Sequence, residues 1–192
     1  YNIVDPISKA RVERKIGDST PDFIFGINNT FDYKRFSLYV LIDGQVGGSI
    51  ANVNKQNMMF NEIAKDVDQS KYPEGQRKHS EYFSVLSNSG AAPNQFFIED
   101  GTFATLREVS LRYSFSKEQL SKLGKVGSFL TDARLSLTGR NLMTFTNYSG
   151  WTPEVAATGG EDDITFNPFN FRADYGAVPI FRTYAISLQV RF

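Results

Sequence analysis

Cysteine is absent from all 192 residues. That excludes a disulfide framework, a thiolate zinc site and a cysteine nucleophile. Neither sign of charge is in excess, since 21 Lys and Arg balance 21 Asp and Glu. A nucleic-acid-binding domain would carry a basic surplus or stripe, so no nucleic-acid partner is expected. No apolar run reaches the roughly 18–20 residues a transmembrane helix needs. The lone histidine, His79, sits in no HExxH pattern, and neither GxSxG nor a P-loop occurs. No constellation for acid–base or nucleophilic catalysis is visible, so neither an enzyme nor a cofactor is expected. The first residues, Tyr1 to Pro6, lack a basic region, an apolar signal core and an initiator Met. The expectation is a piece of a longer polypeptide rather than a chain with its own signal peptide.

What is abundant is aromatic. Phe numbers 17 and Tyr 9, in a chain of slightly negative mean hydropathy. This combination suits strands whose two faces meet different surroundings. Five segments alternate with period two. They are Asp22–Phe31, Phe36–Val46, Phe103–Phe115, Ala133–Leu142 and Phe181–Phe192. In the first, Phe23, Phe25, Ile27 and Phe31 share a side. In the second, Phe36, Leu38, Val40, Ile42 and Val46 do so, opposite Ser37, Tyr39, Asp43 and Gln45. Val109, Leu111, Tyr113 and Phe115 alternate with Glu108, Ser110, Arg112 and Ser114 in the third. Leu135 and Leu137 alternate with Arg134, Ser136, Thr138 and Arg140 in the fourth. The fifth sets Tyr184, Ile186, Leu188, Val190 and Phe192 against Thr183, Ala185, Ser187, Gln189 and Arg191. Such alternation over about 10 residues is the mark of strands with one apolar and one polar face. The fold class expected is all-β and antiparallel. A soluble sheet with one wet face satisfies the same pattern.

The connectors are unequal. Asp32–Arg35 is a tight hairpin link and Ser116–Asp132 is short, whereas Gly47–Thr102 and Met143–Ile180 are long. Because antiparallel strands reverse direction, both long connectors lie at one end. Outer-membrane barrels have this asymmetry of short turns and long outer loops.

Four stretches, read together, resemble the C-terminal region of SusC/RagA-type TonB-dependent outer-membrane transporters. The first runs Ile16-Gly17-Asp18-Ser19-Thr20-Pro21-Asp22-Phe23 and on to Phe31. The second is Phe97-Ile98-Glu99-Asp100-Gly101-Thr102-Phe103, continuing from Leu106 to Phe115, with Thr105 where the family usually has Arg. The third, Leu135 to Glu154, is close to G-x-N-L-x-x-x-T-x-Y-x-G-x-D-P-E, with Thr152 in place of Asp. The last runs from Pro179 to Phe192. The resemblance spans about 175 residues and implies that residues 1–192 are the closing part of a large transmembrane β-barrel, the plug domain not being included. It implies energised import of an oligosaccharide or peptide, with a SusD-like surface lipoprotein, the TonB complex and outer-membrane lipid as partners. A terminal Phe192 with Tyr184, Ile186, Leu188 and Val190 before it resembles the signal read by the barrel assembly machinery. That places Phe192 at the periplasmic side and both long connectors outside. Arg112, Arg134, Arg140 and Arg191 then face the lumen. Two rival readings are a passive porin or adhesin-type barrel and a soluble carbohydrate-binding β-sandwich, the latter requiring the apolar faces to pack in a core.

Within the connectors, Ser116 caps a helical turn over Lys117–Gly124, and Val53–Val67 carries a helix with Met58, Met59, Ile63 and Val67 on one side. Tyr148, Trp151, Phe166, Phe169, Phe171 and Tyr175 crowd the second long connector. They are candidates for stacking on substrate, for holding the loop together or for contacting a lid. Glu161, Asp162 and Asp163 follow two glycines and offer oxygen ligands to Ca²⁺, although their spacing is not that of an EF-hand and a solvated loop has the same composition.

Overall fold

The computed structural model describes residues 15–87, 95–155 and 172–192. These fall into two units. One is drawn from residues up to 21, 48–101 and 148–177; the other comprises 22–47, 102–147 and 178–192.

The second unit is an antiparallel sheet of five strands. In chain order they are β1 (Phe23–Tyr33), β2 (Phe36–Val46), β5 (Phe103–Ser114), β6 (Asp132–Thr146) and β7 (Thr183–Arg191), and each pairs with the next. The register carries the alternation across the whole sheet. Phe31, Leu38, Leu111, Leu137 and Ile186 form one row, and Tyr33, Phe36, Tyr113, Leu135 and Leu188 form the next. One residue along, Asp32, Ser37, Arg112, Ser136 and Ser187 form a row on the opposite face. The sheet is not closed. Its apolar face is also uncovered, with Leu137 53% and Ile186 77% exposed. The sandwich reading requires these residues to pack in a core, and among the described residues nothing packs over them.

Two strands run further than the sequence expectation, and β7 is shorter, covering Thr183–Arg191 of the expected Phe181–Phe192. Tyr33 pairs with Phe36, so β1 runs two residues further and the hairpin turn is only Lys34-Arg35, with Lys34 at φ +56°. Tight hairpins require such a left-handed position. β6 runs to Thr146, four residues past the expected end. The alternation was interrupted at Asn141, which has φ +52° opposite a bulge in β5. Beyond it Met143 pairs with Leu106 and Phe145 with Ala104, so the apolar face resumes.

The bulge falls at Arg107. Leu41 pairs with Glu108 and Ile42 with Leu106, leaving Arg107 as the extra residue. Its guanidinium grips Asp43, a polar-face residue, with Nη2 donating to Oδ1 at 2.7 Å and Nε to Oδ2 at 2.9 Å. Nη1 donates to Asn141 Oδ1 at 3.2 Å.

The first unit contains β3 (Ser49–Ala51), α1 (Val53–Phe60), α2 (Ser80–Ser87) and β4 (Ile98–Asp100), with β3 and β4 paired antiparallel. The helix expected over Val53–Val67 stops at Phe60, because Glu62 turns the chain at φ +59°. A separate short turn covers Lys65–Val67. Met59 is buried with Ala64, Phe83 and Phe97, and Val67 packs on that cluster, but Met58 and Ile63 point outward. The short connector of the sheet holds α3 (Lys117–Ser121), capped by Ser116 and Gln119 in a reciprocal box, and α4 (Lys125–Phe129) after Gly124. The second helix was not expected. Among the described residues no helix is long and apolar enough to cross a membrane, which says nothing of strands.

Gly44 shows how close the sheet is. A Cβ there would collide with the Phe103 carbonyl oxygen and lie 2.9 Å from the Phe25 ring, which covers the glycine from the neighbouring strand. Gly26 has open space around it. Gly44→Ala is therefore expected to lower stability by about 1–3 kcal/mol, and Gly26→Ala by under about 1 kcal/mol. Urea unfolding of the full-length protein carrying each change measures the difference, and equal effects would contradict the packing described.

Candidate functional site

Two carboxylates organise the unit built from the long connectors. Glu99 on β4 accepts the Ser149 amide at 2.7 Å and the Ser149 hydroxyl at 2.7 Å. Asn52 Nδ2 donates to it at 3.2 Å and Lys55 Nζ at 3.4 Å. Asn52 also caps α1, its Oδ1 accepting the Lys55 amide at 2.8 Å. The same few atoms thus fix the start of a helix, a strand and the second connector. Burial works to raise the Glu99 pKa, but the Ser149 donors, with Lys55 and Asn52, outweigh it and hold the group below the ordinary glutamate value.

Asp174 is the second. It is buried, and its Oδ2 accepts the Tyr148 hydroxyl at 2.6 Å. Its Oδ1 accepts the Gly176 and Ala177 amides at 2.9 and 2.8 Å. Its backbone pairs with Ala51 and Asn54. Burial first, then the adjacent carboxylate, pushes the Tyr148 phenol well above its usual range, so it stays protonated and donates. Arg172 lies beside this segment at φ +61°, with Nη2 donating to the Pro153 carbonyl at 3.0 Å. Gly48 and Gly101 lie against its guanidinium, where a Cβ on either would meet Nη1 within 2.8 Å.

The sequence candidates separate here. Tyr148 is a core residue, 5% exposed, packed with Ile50 and Val155. Its ring offers no stacking surface in this arrangement. Trp151 and Tyr175 are 72% and 55% exposed and present free ring area. Phe166, Phe169 and Phe171 lie outside the described residues, as do Glu161, Asp162 and Asp163. Among the described residues no group of three or more His, Cys, Asp or Glu side chains could hold a metal ion. Tyr184, Ile186, Leu188, Val190 and Phe192 are all exposed in and just after the edge strand β7. His79 is exposed, with Nδ1 3.9 Å from Glu81 Oε2. Sequence reasoning missed Glu99, Asn52, Asp174 and Arg172, and also the Arg107–Asp43 pair.

On the sheet's polar face the hydrogen-bonding groups satisfy one another in cross-strand pairs. Thr105 and Thr144 hydroxyls are 3.0 Å apart, Ser110 and Thr138 hydroxyls 2.9 Å, and Arg140 Nε donates to Glu108 Oε2 at 2.9 Å.

No family model matches the chain. Among curated proteins, TonB-dependent receptor P3 of Formosa agariphila is 30% identical over 181 residues, 94% of the chain. The chain belongs to the TonB-dependent receptor family. A second receptor of that organism, P26, is 30% identical over 92% of the chain. The segment spans 17% and 18% of the length of these two relatives. Two solved structures of a RagAB peptide importer share the fold. In the open-open state the TM-score is 0.60 at 17% identity over all of this chain and 20% of that one. In the closed-closed state it is 0.58 at 17% identity, covering 98% of this chain and 19% of that one.

Glu99 makes the receptor's loop unit acid-sensitive. Its folded pKa is depressed, so its contribution is present above the unfolded value and is lost as pH falls through the folded one. Hydrogen exchange at the α1 amides and at Ser149 is expected to accelerate as pH drops below the usual glutamate range, once corrected for intrinsic rates. Glu99→Gln is expected to flatten that dependence while raising exchange at neutral pH. An unchanged pH profile in the variant would remove Glu99 from this role.

Proposed function

We propose that this segment forms part of the wall and outer loops of an outer-membrane active transporter of the SusC/RagA type. The cargo in this reading is an oligosaccharide or peptide, passed on from a SusD-like surface lipoprotein and moved with work from the TonB complex. The observation that carries it is the apolar face that crosses all five strands, in a chain 30% identical to TonB-dependent receptors. A water-soluble protein does not leave such a face bare, and hydrocarbon is the medium that fits it. The likeness to a RagAB peptide importer supports the peptide half of the cargo class. The exposed rings of Trp151 and Tyr175 support either cargo, since both sugar rings and apolar side chains stack on indole and phenol faces. β7 with Phe192 supplies the assembly signal in the same reading.

Charge placement tests the wall. Leu137→Arg in the full-length protein is expected to cost about 2–4 kcal/mol in bilayers, and Thr138→Arg, on the polar face, much less. Equal costs would place neither face in lipid. Uptake tests the activity. Accumulation of oligosaccharide or peptide in cells is expected to stop when TonB is deleted, whereas a passive porin would continue. Trp151→Ala with Tyr175→Ala is expected to weaken cargo binding about 2–10-fold, read by titration calorimetry. Native affinity in that double variant would exclude the two rings as cargo contacts.

A further inference from the structure

At the short-turn end of the sheet, charge and apolar surface coincide. The connectors 34–35 and 116–131 carry Lys34, Arg35, Lys117, Lys122 and Lys125 against Glu118, with Asp32 and Asp132 flanking them and Asp132 held by Arg134, in a chain of zero net charge. All five cations are exposed. Beside them the apolar face ends in aromatic side chains. The Tyr113 ring lies 4.8 Å from that of Phe36 and 5.0 Å from that of Phe115, and Lys34 Nζ lies 5.2 Å from the Tyr33 ring centre. Gln119 joins the two features. Its Nε2 donates to the Tyr113 hydroxyl at 2.8 Å, and its Oε1 accepts Arg35 Nη1 at 2.7 Å. This pins α3 to a residue of the apolar face. The helical connector then leaves Leu123 63% and Phe129 73% exposed, although Leu120 between the lysines is buried.

We propose that this connector is a docking site for anionic phospholipid headgroups at the membrane surface. The inference rests on the reading that the sheet crosses a bilayer. Tyr33 and Tyr113, with Phe36 between them in the row, sit at the depth where rings with one polar end are favoured. Leu123 and Phe129 enter the boundary beneath the headgroups, as the apolar side of an interfacial segment does. Lys117, Lys122 and Lys125, with Lys34 and Arg35, then meet the phosphates of an anionic leaflet. Five cations against Glu118 and the flanking Asp32, with Asp132 already paired to Arg134, leave a net positive end that suits an anionic surface better than a neutral or zwitterionic one. Phospholipid, rather than free phosphate, is the ligand, because the apolar residues add nothing to the binding of a small ion.

The test uses the full-length protein in vesicles of phosphatidylethanolamine and phosphatidylcholine. A bimane label on Ser121→Cys reports quenching by trace nitroxide-headgroup phosphatidylglycerol or phosphatidylcholine. A second label on Leu137→Cys reports quenching by a mid-chain nitroxide lipid. Phosphatidylglycerol is expected to be enriched several-fold over phosphatidylcholine at residue 121. Replacing Lys117, Lys122 and Lys125 by Gln together is expected to remove most of that enrichment, bringing the ratio of the two headgroups close to one. Raising salt from about 0.1 M to about 1 M is expected to weaken it as well. Equal quenching by both headgroups, or enrichment unchanged in the triple variant, overturns the proposal while the label at 137 remains quenched. Competition by millimolar inorganic phosphate alone also overturns it, in favour of a small-anion site. A label at 137 that mid-chain lipid fails to quench defeats the membrane reading, and this inference with it. The 137 label in the triple variant also shows that the variant is inserted and folded.

Discussion

The structure depends on the register of one antiparallel sheet. Side chains alternate with period two, so a slip of one residue on any strand would exchange its faces entirely. Phe31, Leu38, Leu111, Leu137 and Ile186 stand in one row only because four pairings agree, from β1–β2 through to β6–β7. At one position the sequence itself breaks the alternation. Counting back from Tyr113, Leu111 and Val109, an unbroken β5 would put Arg107 on the apolar face and Leu106 on the polar one. The bulge reverses this. It returns Leu106 opposite Ile42 and turns the Arg107 guanidinium onto Asp43. An arginine at mid-bilayer would cost about 2–4 kcal/mol, so a local irregularity in the ladder is the smaller penalty. Asp43, Arg107 and Asn141 are thus the chemical lock on the register rather than an isolated ion pair.

The loop unit is held by a different device. It has small apolar clusters, one around Met59 and Phe97 and one around Ile50 and Tyr148. Between them, buried or half-buried carboxylates collect donors from separate stretches of chain. Glu99 draws on Asn52, Lys55 and Ser149, and Asp174 draws on Tyr148 and two amides after it. A carboxylate with several donors is satisfied without water, and losing any donor leaves the rest of the site with an uncompensated charge. This makes the two long connectors one body: the second cannot leave the first without stranding Glu99.

How much of this was legible follows from what each feature leaves in the sequence. Period-two alternation is local, so all five sheet strands could be read from their own residues, and Ser116 announced a helix cap in the same way. The end of β6 could not be read, because Asn141 interrupts the pattern and only pairing with β5 shows that it resumes at Met143. Nothing local marks the loop unit. Glu99 and Ser149 are 50 residues apart, and Tyr148 and Asp174 are 26. Neither separation has a period. Tyr148, one of a crowd of aromatics, read as well for cargo contact as for packing. Its burial is decided by Asp174, an acid no different in sequence from any loop acid.

The same reasoning explains why the sheet's two ends differ. At the end of the long connectors, burial comes from chain folding back on itself, and the carboxylates find protein donors. At the other end the connectors have two and some sixteen residues, too few to bury much. There the aromatic row of Tyr33, Phe36 and Tyr113 stays exposed or half-exposed, and Gln119 ties Tyr113 to Arg35 beside a few backbone hydrogen bonds such as Ser114 to Arg35. A short connector that leaves Leu123 and Phe129 bare has not run out of polar residues, since three lysines lie among them. It has apolar and cationic groups side by side, which water alone does not favour. A boundary between hydrocarbon and phosphate satisfies both kinds of group at once.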